Sequence, residues 1–170
     1  MVNSLQDADK IKAGQTLTIP ARAGSQPGWV SVRAERLTFE IDQAGRTRVA
    51  RGALGGPASA RSKKLQAEAG KPDRQATDDG GHIIAPRLGG PKAAYNHFAQ
   101  DSNFNRGEYR VLEGTWAKAL SEGKSVSVKI DVKYPTGSKR PNQLRVESTV
   151  AGTTKIRHFT NAKGGRPSGN

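Results

Sequence analysis

Alternating hydrophobic and polar residues predict a strand pair in the first half of the chain. Residues 29–34 and 37–41 alternate as two strand segments. Residues 42–45, with the sequence DQAG, are typical of a turn, and residues 46–54 can return as an antiparallel partner. This part of the chain is therefore predicted to form a β-hairpin sheet.

The second half of the chain carries a further strand pair. Val126, Val128, Ile130 and Val132 alternate with polar residues over 125–134, which is typical of a half-buried strand. Residues 135–138 (PTGS) form a turn signal, and residues 144–150 are predicted to be the next strand.

A helix over residues 106–122 is predicted between these strand pairs. Ser102 or Asn103 is expected to cap its start, and Gly123 is expected to end it. Its apolar stripe repeats at spacings of three and four residues: Tyr109, Leu112, Trp116 and Ala119. Strands followed by a helix and more strands indicate an α+β domain.

The remaining segments divide the chain. Residues 52–72 are rich in Gly, Ala, Ser, Lys and Pro and are expected to form a long surface loop, and a short apolar piece follows at 82–85. Residues 21–28 are interpreted as a linker and residues 161–170 as a flexible tail. The folded domain is thus expected to span residues 29–160.

Composition narrows the function classes. The chain has 170 residues, of which 34% are hydrophobic, and a net charge of +13 from 28 Lys and Arg against 15 Asp and Glu. It has no cysteine, which excludes a disulfide scaffold, thiol catalysis and a cysteine-ligated metal. No apolar run approaches the length of a membrane span, and the start of the chain shows no signal peptide. A basic protein with a polyanionic partner is expected.

The positive charge is distributed unevenly. Its excess lies mainly in residues 1–70 and 131–170, whereas residues 71–130 are almost neutral. The near-neutral middle holds two of the three His residues, together with the Asn and acidic residues that are candidates for chemistry. Charge alone does not separate a nucleic-acid-binding protein from an enzyme.

Two groups of residues in this middle segment are candidates for a site. His82 follows two acidic residues and two glycines in DDGGH, where glycine permits unusual backbone angles beside a titratable ring. Counted on a helix, Asn105 shares the face of the apolar stripe and would point inward, and Glu113 lies about 80° around from it. Side-chain oxygens of this kind suit a hard cation such as Mg²⁺, although a helix cap for Asn105 and a solvated charge for Glu113 remain open.

Taken together, the motifs resemble the bacterial DNA/RNA non-specific endonucleases of the ββα-metal (His-Me finger) class. The resemblance runs from about residue 35 to residue 160. It depends on the order and spacing of residues 79–85 (DGGHIIA), 88–90 (LGG), 96–100 (NHFAQ), 103–107 (NFNRG), 112–113 and 116–120 (WAKAL). One departure is Gly80, where many relatives have an arginine. Arg87, Arg106 or Arg110 could supply its phosphate contact.

The resemblance implies a fold and a mechanism. The fold would be an antiparallel sheet with a metal-bearing helix. His82 would be the general base, Asn105 would bind one Mg²⁺ (or Mn²⁺) directly, and Glu113 would hold a metal-bound water. Asn96 would help to place His82 or the phosphate, and Asp79 would open the motif in a structural role.

The implied activity is non-specific hydrolysis of DNA or RNA, in which phosphate contacts matter more than base contacts. The basic residues expected to bind phosphate are Arg46, Arg48, Arg51, Arg87, Arg106, Arg110 and Arg140, together with Lys139 and Arg145. Such an enzyme is expected to be the C-terminal toxin domain of a secreted bacterial effector that acts in the target-cell cytoplasm and is neutralised by an immunity protein. A catalytically inactive nucleic-acid-binding module of the same fold is the alternative.

The first twenty residues carry a separate resemblance. Residues 9–11, 13–15 and 17–20 are similar to the second half of a LysM peptidoglycan-binding module. The preceding strand and helix of such a module are missing, so this segment is interpreted as a remnant. A peptidoglycan-binding adaptor is the third hypothesis.

Overall fold

The computed structural model describes residues 26–163. The LysM-like segment, most of the expected linker and the tail after residue 163 lie outside the described residues. Asn161, which the sequence division assigns to the tail, is only 2% exposed and is hydrogen-bonded to the hairpin that precedes the long helix, so the folded domain extends at least that far.

Six strands form the main sheet, in the spatial order β1 (Val30–Ala34), β2 (Leu37–Ile41), β3 (Thr47–Ala53), β6 (Val126–Lys133), β7 (Gln143–Val150) and β8 (Thr153–Thr160). Every neighbouring pair is antiparallel. Both predicted strand pairs are therefore confirmed, and β3 joins them in one sheet by pairing with β6.

A second, two-stranded sheet precedes the long helix. It consists of β4 (Asp78–His82) and β5 (His97–Asp101), which pair antiparallel with His82 opposite His97. Two 3₁₀ turns, Pro86–Leu88 and Ala94–Asn96, lie in the connection between them. The short apolar piece at 82–85 was interpreted as a strand, but the strand lies before it, at 78–82, and β5 was missed, because DDGGH and HFAQD do not alternate in hydrophobicity.

The predicted helix exists but begins earlier than expected. Asp101 caps it, since its carboxylate accepts from the backbone N–H groups of Asn103 and Phe104 at 3.0 and 3.2 Å, so neither Ser102 nor Asn103 is the cap. Helix α2 (Ser102–Phe104) continues through a π-helical stretch (Asn105–Tyr109) into α3 (Arg110–Ser121).

Gly123 ends α3 as predicted. Its φ is +75°, and the N–H groups of Gly123 and Lys124 donate to the carbonyls of Leu120 and Ala119. This is the double hydrogen bond of a Schellman motif, which favours glycine because of the left-handed backbone.

The predicted loop at 52–72 contains a short helix, α1 (Lys63–Glu68). Ser62 caps it by accepting from the backbone N–H of Leu65 at 3.3 Å. The composition concealed this helix because Gly, Ala and Ser dominate the flanking residues, while KKLQAE itself consists of good helix formers.

The core lies where the inner face of the main sheet meets α3 and the β4–β5 hairpin. Phe39, Ile130 and Val146 contribute from the sheet, and Leu112 and Trp116 contribute from α3. The apolar stripe predicted for the helix is therefore the surface that it buries. No helix among residues 26–163 combines the length and the apolar character that a membrane crossing requires.

Candidate active site

A large polar cleft, about 1010 Å³ in volume, lies beside the β4–β5 hairpin. One wall is built from residues 58–67, which include α1, and the other from residues 105–113 of the long helical segment. Asp79 and Gly80 of β4, Arg74, and residues 85–87, which include Arg87 of the first 3₁₀ turn, complete the lining. Most of the residues that line this cleft therefore come from the near-neutral middle of the sequence, residues 71–130.

His82 is the last residue of β4, at the end of a strand as the resemblance implies. The lining of the cleft includes Gly80 but not His82, which stands two residues further along the same face of the strand. The His82 ring instead packs on that of His97, with ring centroids 4.4 Å apart. The side chain of His82 is half-buried.

The backbone that follows His82 is anchored from two directions. The Tyr109 hydroxyl donates to the carbonyl of Ile83 at 2.6 Å. The Asn96 amide accepts from the N–H of Ile84 at 3.0 Å and donates to its carbonyl at 2.9 Å. Asn96 is fully buried, so it holds the backbone beside His82 and has no access to a phosphate. Of the two roles expected for Asn96, this geometry fits the placing of His82 and does not fit a contact with the phosphate.

Asn105 and Asp79 are brought together from different elements. The Asn105 amide nitrogen donates to Asp79 Oδ2 at 2.9 Å, and Arg106 donates to both carboxylate oxygens at 2.9 and 2.8 Å. Burial would raise the pKa of Asp79, but the hydrogen bonds from Arg106 and Asn105 lower it below its ordinary value. An ionised carboxylate only accepts hydrogen bonds, so Asn105 must present its nitrogen to Asp79 and keep its carbonyl oxygen available.

Asn105 does not point into the core as predicted. It is half-buried and lines the cleft. The prediction assumed a regular α-helix, whereas Asn105 begins a π-helical stretch that is kinked at Gly107 (φ −101°, ψ −109°). The wider turn changes the angle between Asn105 and the stripe of α3, and such stretches are frequent at functional sites.

Glu113 lines the same cleft from the first turn of α3. Burial raises the pKa of its carboxyl to about 7, although the nearby charges of Arg87 and Arg61 oppose that change. The Arg87 guanidinium lies 4.0 Å from Glu113 Oε2. Glu113 is therefore a buried carboxyl facing polar space rather than a solvated helix charge.

The pKa of His82 is shifted in the opposite direction, below its ordinary value. Burial, and then the charges of His97 and Arg61, lower its pKa to about 4. The imidazole is thus neutral near pH 7 and has a ring nitrogen able to accept a proton.

The two glycines of DDGGH serve close packing rather than unusual backbone angles. Neither has a positive φ. A Cβ atom on Gly80 would overlap the backbone of Gln66 in α1, and one on Gly81 would overlap the side chain of Gln100. An arginine at position 80 is therefore incompatible with the position of α1.

The predicted phosphate-binding residues fall into two groups. Arg87, Arg106 and Arg110 line the cleft. The others lie outside its lining. Arg46 and Arg48 pair with Asp42, Arg51 pairs with Glu40, and Arg145 pairs with Asp131 and Glu147. Lys139 lines a smaller pocket.

Arg140, which the sequence predicts to be a phosphate contact, is instead held in an ion pair with Asp78. Its guanidinium donates to both oxygens of Asp78, at 2.7 and 2.8 Å, and to the carbonyl of Asn161 at 3.1 Å. The Asp78 side chain has no solvent exposure and that of Arg140 has 12%. Arg140 therefore joins the main sheet to the β4–β5 hairpin and is not available to a phosphate.

Sequence reasoning missed three cations in the cleft. Arg61 and Lys63 flank the cap of α1, and Arg74 lies between α1 and β4. Arg74 donates to the carbonyls of Gln66 and Asp78, so it fastens α1 to β4. The helix formers after Ser62 were the signal that could have located this wall.

The donor set fits a single hard cation that keeps most of its water. Within residues 26–163 there is no cluster of three His, Asp or Glu side chains able to hold a metal ion. The available protein ligand is the carbonyl oxygen of Asn105, whose amide is oriented by Asp79, and Glu113 lines the same space. Mg²⁺ commonly binds through few protein ligands together with substrate phosphates.

The β4–β5 hairpin followed by a helix that carries Asn105 and Glu113 defines a ββα-metal fold within an α+β domain. A model of the DNA/RNA non-specific endonuclease family matches residues 29–152, and the chain belongs to this family. Family membership identifies it as an endonuclease, a hydrolase of phosphodiester bonds. Enzymes of this family are metal-dependent.

Two solved structures share the fold. NucA from Streptococcus agalactiae, solved with no metal bound, superposes with a TM-score of 0.59 at 16% identity, over 79% of this chain and 78% of NucA. The Sda1 nuclease with bound zinc gives a TM-score of 0.55 at 12% identity, over 75% of this chain and 76% of Sda1.

Relatives in sequence are much longer proteins. The type VII secretion system protein EssD of Staphylococcus aureus (strain USA300) is 38% identical over 107 residues, or 59% of this chain. The probable deoxyribonuclease RhsA of Dickeya dadantii (strain 3937) is 37% identical over 68 residues, or 40% of this chain. The chain spans 17% of the length of EssD and 5% of that of RhsA.

Proposed function

We propose that this chain hydrolyses DNA, RNA or both without strong sequence preference, with His82 as general base and with Mg²⁺ (or Mn²⁺) held by Asn105. The observation that carries the proposal is the hydrogen bond from the Asn105 amide to Asp79, which directs the remaining amide oxygen away from the carboxylate. Outer hydrogen bonds of this kind orient metal ligands.

The chain's own residues divide the reaction between them. His82, neutral near pH 7, removes a proton from water as the water oxygen attacks phosphorus. The bond from phosphorus to the 3′ oxygen breaks, and the departing 3′ oxygen takes a proton from a second water molecule in the cleft. Glu113 holds a water molecule in the cleft, and Arg87, Arg106 and Arg110 attract the backbone phosphates. A bound divalent cation supplies Lewis-acid stabilisation of the charge that develops on the phosphate oxygens.

Phosphate binding also suits the unusual pKa of His82. Burial and two positive neighbours lower this pKa to about 4, so without substrate the His82 imidazole is a weak base. Anionic phosphates in the cleft offset the charge of Arg61 and raise the pKa toward neutrality. The general base is therefore strengthened by the substrate that it acts on.

Cleavage of plasmid DNA and of RNA in Mg²⁺ tests the proposal. We expect cleavage by the wild type that EDTA abolishes, and a loss of at least about 100-fold in His82→Ala and Asn105→Ala. The matched control is His158→Ala, which removes an exposed histidine from β8 and leaves the cleft intact. Undiminished cleavage by His82→Ala, or no cleavage by the wild type, would refute the proposed chemistry. Salt-sensitive DNA binding without cleavage would favour the inactive binding module instead.

We further propose that the domain is the C-terminal toxin part of a secreted antibacterial effector that acts in the target-cell cytoplasm and is neutralised by an immunity protein. The match to EssD, named as a type VII secretion system protein, supports this proposal. Induced expression in a bacterial cytoplasm is expected to degrade nucleic acid and stop growth, and His82→Ala is expected to relieve the arrest. Rescue by the product of a neighbouring reading frame would identify the immunity protein.

A further inference from the structure

The rings of His82 and His97 form a pair on one face of the β4–β5 hairpin. The two residues stand directly opposite each other in the register of the strands, so their side chains lie on the same face. Their ring centroids are 4.4 Å apart, with an angle of 50° between the ring planes. Within residues 26–163 the His82 ring makes no hydrogen bond, so packing is what orients it.

Helix α1 covers the same face of the hairpin. Gly80 and Ala99 are another opposite pair on this face, and Gly80 lies directly against the backbone of Gln66 in α1. Residues of α1 line the cleft and also the smaller pocket, which has a volume of about 240 Å³. His97 lines the smaller pocket and not the cleft. His97 therefore touches the His82 ring without belonging to the surface that receives a substrate.

The ring of His97 is anchored to the backbone. Its Nδ1 lies 2.8 Å from the carbonyl oxygen of Ala93, and because a carbonyl oxygen only accepts, Nδ1 must carry the proton of this hydrogen bond. In the neutral ring the other nitrogen, Nε2, then has a lone pair. The hydrogen bond fixes both the tautomer and the rotation of the ring.

The surroundings of His97 also keep it uncharged near pH 7. Burial lowers the pKa of His97, and the hydrogen bond to Ala93 opposes this change only in part. Nε2 is buried and has no hydrogen-bond partner within residues 26–163. A proton there would create a buried donor without an acceptor, which costs free energy.

The charged groups around His97 do not favour its protonation. The neighbouring His82 and the nearby Arg61 bring no negative charge. Glu68 is the one carboxylate among the described residues that line the smaller pocket, and it is already paired with Lys71 at 3.0 Å. The titratable groups in that lining, besides His97, are Arg46, Glu68, Lys71, Tyr95, Tyr134 and Lys139. His97 is thus a neutral ring in a fixed orientation.

We propose that His97 is a positioning residue for the general base, and that its anchored ring holds the His82 imidazole in the orientation that faces the attacking water. Asn96 and Tyr109 fix the backbone that follows His82, and His97 adds a constraint on the ring itself. Such a constraint matters because a misplacement of about 1 Å can cost about 100-fold in rate. The inference rests on the proposed nuclease function and adds to it a residue outside the cleft.

The test compares His97→Ala, which removes the ring, with His97→Phe, which keeps a flat ring of similar size. On a fluorescent oligonucleotide in Mg²⁺, His97→Ala is expected to lower kcat about 10- to 100-fold and to leave KM within about twofold, because only the placement of the base changes. His97→Phe is expected to recover most of this loss, since it keeps the ring packing although the hydrogen bond to Ala93 is lost. The matched control is His158→Ala, an exposed position on β8, which is expected to behave as the wild type.

A second measurement separates the effect of the ring from that of its charge. The positive charge that His97 gains on acidification lowers the pKa of His82, and both variants remove it. NMR titration of the His82 imidazole in EDTA, where no cleavage takes place, is expected to give a higher pKa for His82 in both variants than in the wild type. The acidic limb of the kcat/KM profile is expected to move to higher pH in both. Urea unfolding confirms that each variant is folded, and His97→Leu replaces His97→Ala if the latter is not.

These outcomes distinguish failure of this inference from failure of the proposed function. A kcat for His97→Ala within about threefold of the wild type, or a kcat for His97→Phe as low as that for His97→Ala, overturns the inference while the nuclease proposal stands. A loss confined to KM also overturns it, because His97 would then act on substrate binding. If the wild type does not cleave at all, the nuclease proposal fails, and an unchanged pKa of His82 in both variants then overturns the coupling of the two rings independently.

Discussion

The carboxyl group of Glu113 is expected to destabilise the folded domain at neutral and alkaline pH. It lies in a largely buried position, and burial raises its pKa from 4.5 to about 7. As pH rises between these values, the unfolded chain releases its proton while the folded protein retains it, so the free energy of unfolding falls. The variant Glu113→Gln keeps the size of the side chain and removes the ionisation.

The magnitude follows from the two pKa values. One pKa unit corresponds to about 1.4 kcal/mol, so the full change from 4.5 to about 7 corresponds to about 3 kcal/mol. The penalty is only about 1 kcal/mol at pH 5, where the carboxyl is protonated in the folded protein and partly ionised in the unfolded chain, and it approaches its full value by pH 8. The stability of Glu113→Gln relative to the wild type is therefore expected to increase by about 2 kcal/mol from pH 5 to pH 8.

Urea unfolding at pH 5 and pH 8, in EDTA so that no cation neutralises the carboxylate, measures this difference. The control is Glu108→Gln, which removes an exposed carboxylate from the same helical segment and is expected to give the same small difference at both pH values. Equal effects of Glu113→Gln at pH 5 and pH 8 would show that Glu113 is not a buried carboxyl. Loss of cleavage in the same variant, despite its greater stability, is expected if Glu113 serves the reaction.

Three further variants test the contacts that build the site. Gly80→Ala forces a methyl group against the backbone of α1, so the free energy of unfolding is expected to fall by about 1–3 kcal/mol in a urea titration. Arg140→Ala leaves the fully buried carboxylate of Asp78 without its partner and is expected to cost about 3–5 kcal/mol by the same assay. Asp79→Asn no longer enforces the orientation of the Asn105 amide, so the Mg²⁺ concentration for half-maximal cleavage is expected to rise about 10–100-fold.

Each of these variants has an outcome that would contradict its prediction, and two of them have a control variant. Gly114→Ala adds a methyl group within α3 where nothing lies within 4 Å, and it is expected to be neutral or slightly stabilising. Gly80→Ala as stable as Gly114→Ala would contradict the packing of α1 on β4. A loss for Arg140→Ala no larger than that for Lys64→Ala, which removes an exposed cation from α1, would contradict the buried ion pair. An unchanged Mg²⁺ dependence in Asp79→Asn would contradict the orienting role of the carboxylate.

Five of the six strands of the main sheet could be predicted because each follows a local rule. Alternation placed β2, β3, β6 and β7 nearly where the structure has them, since a strand with one buried face must repeat every two residues. The strand β8 was missed because its residues are almost all exposed, so it carries no alternating signal. It is held instead by its pairing with β7.

The candidate site was predicted in a different way. Composition and spacing indicated a polyanionic partner and made His82, Asn105 and Glu113 candidates, and only the resemblance of the ordered motifs assigned a role to each of them. The sequence did not indicate that Asp79 orients Asn105, because the two residues are 26 positions apart and meet only when the hairpin packs on the helix.

The distribution of charge shows most clearly what the sequence determines and what the tertiary structure determines. The amino-acid sequence by itself determines that the chain is strongly basic, lacks cysteine and contains an almost neutral middle segment with its histidine and amide residues. Only the tertiary structure decides which cations face a substrate. Arg140, a predicted phosphate contact, is consumed by a buried pair with Asp78, whereas Arg61, from a segment predicted to be a loop, lines the cleft. The reason is that a side chain's charge is local information, but its partner is set by packing between elements far apart in the chain.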